Sequence, residues 1–290
     1  MSAPTAEPAT GASSVGGTEV GDGDGVVLRV EDVSVSFGGI RALHMVSLAA
    51  GAGGVTGLIG PNGAGKTTLF NVITGLEKPA QGRVRLGGAD LSGMAPHRRA
   101  RLGMARTFQR LEVFGSLSVR DNILTGAEFH RSWSRHAEDP ASVTEEILDR
   151  VGLRAVADLR VDAIPTGMAR LVELGRALAT RPRLLLLDEP GSGLDENESE
   201  DLGRLLIELG EAGVAVLLVE HDVDLVMRIS RTVFVLDFGR IIASGSPSEV
   251  QADPHVRAAY LGTQPSTDDG GGAGSAGSAG SSSSGGGGGA

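Results

Sequence analysis

The chain has 290 residues and a net charge of −10, with 36 acidic against 26 basic side chains and a pI near 5.1. That balance excludes a nucleic-acid protein held by a broad basic face, and the lack of any cysteine excludes disulfides and thiolate metal sites. No apolar run approaches the ~20 residues that cross a bilayer, and the start has neither a basic nor an apolar leader region, so a cytoplasmic protein is expected. Residues 1–25, rich in Ala, Gly, Ser, Thr and Pro, are expected to be disordered. Residues 26–262 are predicted to form one domain. Residues 263–290 are expected to be a flexible Gly/Ser-rich tail.

In chain order, Val27–Val30 and Val33–Phe37 alternate with period two, as half-buried strands do, and Gly38-Gly39 makes a turn. Val55–Ile59 reads as a short buried strand. It leads into Gly60-Pro61-Asn62-Gly63-Ala64-Gly65-Lys66-Thr67-Thr68, which fits G-x-x-x-x-G-K-[ST], and Thr68–Ile73 continues as a helix. Strand, glycine loop and helix are the context a P-loop requires. Its backbone N–H groups cradle phosphate oxygens, and the helix dipole adds positive potential. Lys66 can reach the β- and γ-phosphates, and the Thr67 hydroxyl can ligate Mg²⁺. Lysine occurs only here and at Lys78, against 24 arginines.

Val84–Leu86 predicts another strand, with a turn at Gly87-Gly88, so residues 26–90 mix antiparallel strands around the P-loop. Residues 110–163 carry helical patterns such as Val143–Val151, and a long helix is predicted from about Met168 to Thr180. Leu184–Leu187 reads as a parallel strand buried on both faces, ending in Asp188-Glu189. A helix near 199–210, a strand at Val214–Val219, a helix near 223–229 and a strand at 232–236 complete an α/β pattern with a parallel sheet. Ligands bind outside the carboxyl ends of such strands. Asp188 there can hold Mg²⁺, and Glu189 can orient or deprotonate an attacking water. The P-loop does not repeat, so one nucleotide-binding domain is expected.

These motifs, in this order, resemble those of ATP-binding-cassette (ABC) ATPases over essentially all of residues 26–262. The resemblance implies a P-loop NTPase fold with a RecA-like parallel core, an antiparallel β subdomain and a small α-helical subdomain at about 110–180. It implies ATP and Mg²⁺ as ligands. Gln109, in Arg106-Thr107-Phe108-Gln109, matches the glutamine loop that senses the γ-phosphate and Mg²⁺. His221, in Val219-Glu220-His221-Asp222, matches the switch histidine that contacts the γ-phosphate. Asp195, in Ser192-Gly193-Leu194-Asp195, matches a residue that communicates across a dimer. Phe37 matches the aromatic residue that stacks on adenine, although its period with Val33 and Val35 equally suits core packing.

The Arg-Thr-Phe-Gln form, the Glu220–Met227 stretch and the ending Val256–Gly262 are similar to those of branched-chain amino acid importer ATPases, a subgroup with urea, amide and lipopolysaccharide-type relatives. The implied partners are integral-membrane permease subunits, a second ABC ATPase subunit, identical or different, and indirectly a solute-binding protein, with no nucleic acid. The implied place is the inner face of the cell membrane, peripherally bound. One segment departs from the family pattern. Where the signature reads Leu-Ser-Gly-Gly-Gln, this chain has Ile164-Pro165-Thr166-Gly167-Met168. Proline offers neither hydroxyl nor N–H, a change that the resemblance places within the importer subgroup's range, and Met168 is the sharper departure, because a thioether cannot replace an amide. The signature acts on the partner's site, so an asymmetric heterodimer is expected.

A basic stretch, His97-Arg98-Arg99-Ala100-Arg101 with Arg106 and Arg110, reads as a solvated helix face or as a contact with permease or anionic lipid. Leu111-Glu112-Val113-Phe114 is the better candidate for permease contact. The alternatives to transport are a soluble ABC ATPase acting on proteins or nucleic acid, which the acidic charge disfavours, and a weakly catalytic regulatory subunit.

Overall fold

The structure, a computed structural model, describes residues 25–257. The expectations for residues 1–24 and 263–290, and for the Ala258–Gly262 part of the importer-like ending, lie outside the described residues.

β1 (Val26–Phe37) and β2 (Ile40–Gly51) form a long antiparallel hairpin. The two short strands read from the sequence are one strand. Its pairing with β2 shifts between Val30 and Val33, where Asp32 takes a φ of 49°. This bulge resets the alternation, so Leu28, Val30, Val33 and Val35 are all buried. β3 (Val55–Ile59) leads through the glycine loop to α1 (Lys66–Thr74). β4 (Gln81–Leu86) and β5 (Ala89–Asp90) complete an antiparallel sheet of order β2-β1-β4-β5. α2 (Pro96–Arg101) and β6 (Met104–Arg106) follow.

Then come three helices: α3 (Val119–Trp133), α4 (Pro140–Arg150) and α5 (Thr166–Leu178). Ser118 and Asp139 cap the first two by accepting the N–H of Asp121 and Ser142. All three pack on one another as a helical unit. The chain returns through β7 (Leu184–Asp188), α6 (Glu196–Glu211), β8 (Ala215–Val219), α7 (Val223–Ile229), β9 (Ser230–Asp237), β10 (Arg240–Gly245) and α8 (Pro247–Ala252).

The second sheet has the order β10-β9-β3-β8-β7-β6 and is parallel except for β10. Alternate residues of its strands feed two cores. Leu184, Leu186 and Leu217 face the cluster shared with the antiparallel sheet and α1. Leu185, Leu187, Val216 and Leu218 face the cluster shared with α3 to α7. This explains the unbroken run of leucines: each side chain removed from water stabilises the fold by roughly 2 kcal/mol, and neither face is wet. Among the described residues, no helix is long and apolar enough to cross a membrane.

Candidate functional site

The glycine loop lies at the carboxyl end of β3 and is held from several sides. A Cβ on Gly60 would lie 2.0 Å from the Leu236 carbonyl oxygen of β9, so only glycine fits there. The Gly239 N–H, in the β9–β10 turn, donates to the Ala64 carbonyl at 2.9 Å. Lys66 is buried, and its Nζ donates to the Gly60 and Pro61 carbonyls at 2.5 and 3.1 Å. Burial pushes its pKa down, while the charges of Glu189 and Asp188 oppose that shift. The lysine therefore sits within the electrostatic reach of both acidic residues at the end of β7.

Asp188 and Glu189 differ sharply. The Asp188 side chain is buried, and Arg106 Nη2 donates to its Oδ2 at 3.2 Å. Burial pushes its carboxyl above the usual range, an effect that Arg106 partly offsets. Glu189, just past the strand with a φ of 53°, turns toward the loops. Its Oε1 accepts from Gln109 Nε2 at 3.1 Å and lies 2.8 Å from His221 Nε2. Three predicted residues from three separate loops thus meet on one carboxylate. Glu220, buried at the end of β8, accepts the N–H of Gly191 at 2.6 Å and of His221 at 3.2 Å. It ties the loop after β7 to the histidine loop. Burial pushes its pKa up, and these N–H groups oppose that. In the sequence it is only one more acidic residue at a strand end.

Among the described residues, no three His, Cys, Asp or Glu side chains form a protein-only metal cage. Thr67, Asp188 and Gln109 carry hydroxyl, carboxylate and amide oxygens, donor types that suit Mg²⁺.

The signature segment opens α5. Pro165 is its N-cap and gives no side-chain cap, and Thr166 is exposed. A Cβ on Gly167 would meet the Gly193 carbonyl and Leu194 Cδ2, each at 2.9 Å. The turn before α5 therefore packs on the loop that carries Asp195. Met168 is half-buried against the larger apolar cluster. Asp195 caps α6, accepting the Glu198 N–H while Glu198 accepts its own N–H in return. Phe37 is 49 % exposed at the hairpin end, so core packing is not its role.

Comparison with known proteins fits this geometry. The ABC transporter family matches residues 43–192, and the branched-chain amino acid ATP-binding cassette transporter family matches residues 240–265. The high-affinity branched-chain amino acid transport ATP-binding protein BraF of Pseudomonas aeruginosa is 36% identical over 249 residues. The match covers 81% of this chain and 98% of that protein. The chain belongs to the ABC transporter ATPase family. The LivG protein of Escherichia coli, of the same description, is 35% identical with the same coverage. The lipopolysaccharide export system ATP-binding protein LptB of Acidithiobacillus ferridurans is 36% identical, covering 82% of this chain and 98% of that one. The crystal structure of a nucleotide-free ATP-binding cassette from an ABC transporter superposes with a TM-score of 0.73 at 32% identity, over 81% of this chain and 98% of that one.

In this ABC ATPase the basic stretch is not one surface. His97, Arg98 and Arg101 are exposed. Arg99 is buried and donates to the Val72 and Ile73 carbonyls at the end of α1, and to Leu91 and Met94. It is a helix C-terminal cation. Arg106 is buried against Asp188. α5 grips the glutamine loop: Arg170 donates to the Phe108 and Gln109 carbonyls, and Glu173 accepts the Phe108 N–H at 3.2 Å. Beside it lies a groove of about 400 Å³, lined by Arg106, Glu112, Val113, Phe114, Phe129 and Trp133 among others. Leu111 turns instead to the core.

Proposed function

We propose that this chain is the ATP-hydrolysing subunit of an importer, most simply one for branched-chain amino acids, and works at the inner face of the membrane. The convergence of Gln109 and His221 on Glu189, beside Lys66 and Asp188, is the observation that carries this reading. Residues Gly60, Pro61, Asn62, Gly63, Ala64, Gly65, Lys66, Thr67 and Thr68 bind the phosphates, and Phe37 stacks on adenine. Thr67, Asp188 and Gln109 would hold Mg²⁺, which neutralises charge on the transferring phosphoryl group. Glu189 takes the proton of the attacking water. His221 and Gln109 orient that carboxylate and contact the γ-phosphate side. Pro165, Thr166, Gly167 and Met168 act on the site of a second ATPase subunit, and Asp195 lies where that subunit meets this one. The groove beside Phe114 takes a permease segment.

The solute is argued from the relatives: BraF and LivG are named for branched-chain amino acid transport, and the match at residues 240–265 carries the same description. Reconstitution with its permease tests the reading. Uptake of leucine, isoleucine or valine that depends on ATP and on Glu189 is expected. Hydrolysis indifferent to any permease would refute it.

A further inference from the structure

Arg106 touches two places that are otherwise separate. On one side its Nη1 donates to Asn71 Oδ1 of α1 at 2.7 Å and its Nη2 to Asp188 Oδ2 at 3.2 Å. Its guanidinium carbon lies 5.4 Å from the Phe70 ring centre and 4.7 Å from that of Phe108. On the other side the same side chain lines the groove that holds Trp133 and Phe114. It is only 6 % exposed, and its Nε is buried without a hydrogen-bond partner.

A buried carboxylate needs a cation, and here Arg106 supplies it to Asp188. The unpartnered Nε means that this arrangement does not use all of the guanidinium's donors. A second acceptor lines the same groove. Glu173 is buried, its Oε1 takes the Phe108 N–H, and its Oε2, 3.6 Å from Arg170 Nη1, has no hydrogen-bond partner. Phe108 therefore touches both groups, through its ring and through its backbone. A divalent cation held at Asp188 repels the guanidinium at close range and makes its charge there redundant.

We propose that Arg106 is a positioning residue with two stations. It neutralises Asp188 when that carboxylate holds no cation, and it swings toward Glu173 when a divalent cation is held there, so that the groove reports the metal state of the nucleotide site. This rests on the nucleotide reading above, and adds to it a residue that acts through Asp188.

The chain contains a single tryptophan, Trp133, and that residue lines the groove. Full-length protein is titrated with MgCl₂ at saturating ADP, which avoids turnover, with EDTA as the zero point. Trp133 emission and the half-saturating Mg²⁺ concentration are both read. Wild-type emission is expected to shift with Mg²⁺ and ADP together, and not with ADP in EDTA. Arg106→Gln removes the competing cation, so half-saturating Mg²⁺ should fall by about fivefold or more, and the emission shift should vanish. Arg106→Lys keeps the charge but loses the fork, and both readouts should be intermediate. Glu173→Gln removes the charge at the second station, so half-saturating Mg²⁺ should rise and most of the emission shift should be lost.

A merely structural arginine would weaken Mg²⁺ binding on removal, so unchanged or raised half-saturation in Arg106→Gln overturns the proposal. So does a full emission shift in that variant, or no shift in a wild-type chain that binds ADP. If Arg106→Gln does not fold, wild-type values of both readouts in Arg106→Lys overturn it equally. A wild-type chain that binds no ADP at all breaks the nucleotide reading itself, and the proposal with it.

Discussion

The loop before α1 and the turn before α5 both end at a helix N-terminus, yet they are built differently. The first is closed by its own chain. Gly60 sits against the Leu236 carbonyl, the Ala64 carbonyl takes the Gly239 N–H, and Lys66 binds the Gly60 and Pro61 carbonyls. The second has Pro165 as a cap without a side-chain bond and leaves Thr166 exposed, with Gly167 resting on the loop that carries Asp195. One helix start is complete within this chain. The other leaves its first backbone N–H groups without a side-chain cap. The difference places the demand for precision on the chain's own phosphate loop.

The largest effect should come from the chemistry at the complete end. Glu189→Gln removes the proposed proton acceptor but keeps groups for Gln109 and His221 to meet. Hydrolysis should fall by roughly 10²- to 10⁴-fold while ATP binding is retained, read by phosphate release and by calorimetry. A variant that still hydrolyses within a few-fold of wild type would move the base elsewhere.

Next is the loop itself. Gly60→Ala would drive a methyl group to 2.0 Å from a backbone oxygen that belongs to a buried strand and cannot step aside. A loss of about 3 kcal/mol in urea unfolding is expected, together with loss of nucleotide binding. Full binding in this variant would show that the loop is far looser than its contacts imply.

The same contrast separates what was legible in the sequence from what was not. The strand–glycine–helix unit at Val55–Ile73 and the leucine strand at Leu184–Asp188 were legible, because buried parallel strands leave unbroken apolar runs and the loop needs glycines at fixed spacing. Other elements were hidden. β2 breaks its alternation at Met45, which has a φ of 49°, and β10 is only half-buried, so neither carries a clean period. The bulge at Asp32 split β1 into two apparent strands. Arg99 and Arg106 looked like members of one solvated basic run. They are buried because each meets partners distant in sequence: the end of α1 for Arg99, Asn71 and Asp188 for Arg106. Glu220 and Glu173 were equally silent. No local pattern marks an acidic side chain whose partners are backbone N–H groups of another loop.

A smaller effect should come from rebuilding the incomplete helix start. Pro165→Ser gives α5 an N-cap worth about 1 kcal/mol. Met168→Gln restores an amide but takes a half-buried side chain from an apolar cluster, costing about as much. The double variant should therefore be near wild type in stability. If the signature limits turnover, the double variant should hydrolyse ATP roughly tenfold or more faster as a homodimer. Unchanged rates, with a wild-type homodimer already turning over at an ordinary rate, would end the argument for an asymmetric pair.

The smallest expected effect lies where α5 grips the glutamine loop. Burial raises the Glu173 pKa, opposed by the Phe108 N–H and by Arg170 and Arg176. A raised folded-state pKa means that the native protein binds more protons than the unfolded chain between the ordinary glutamate value and the folded one. Stability from this group is therefore present at low pH and is lost as pH rises through that window. Glu173→Gln keeps an oxygen for the Phe108 N–H and removes the charge. Relative to wild type, it should gain stability as pH rises above the ordinary glutamate range, by ~1 kcal/mol or less. Thermal unfolding across that range measures it. A stability difference that stays flat with pH would mean that Arg170, 3.6 Å from Glu173 Oε2, already keeps the carboxylate ionised throughout, and that the grip on Phe108 is an ion pair's rather than a protonated acid's.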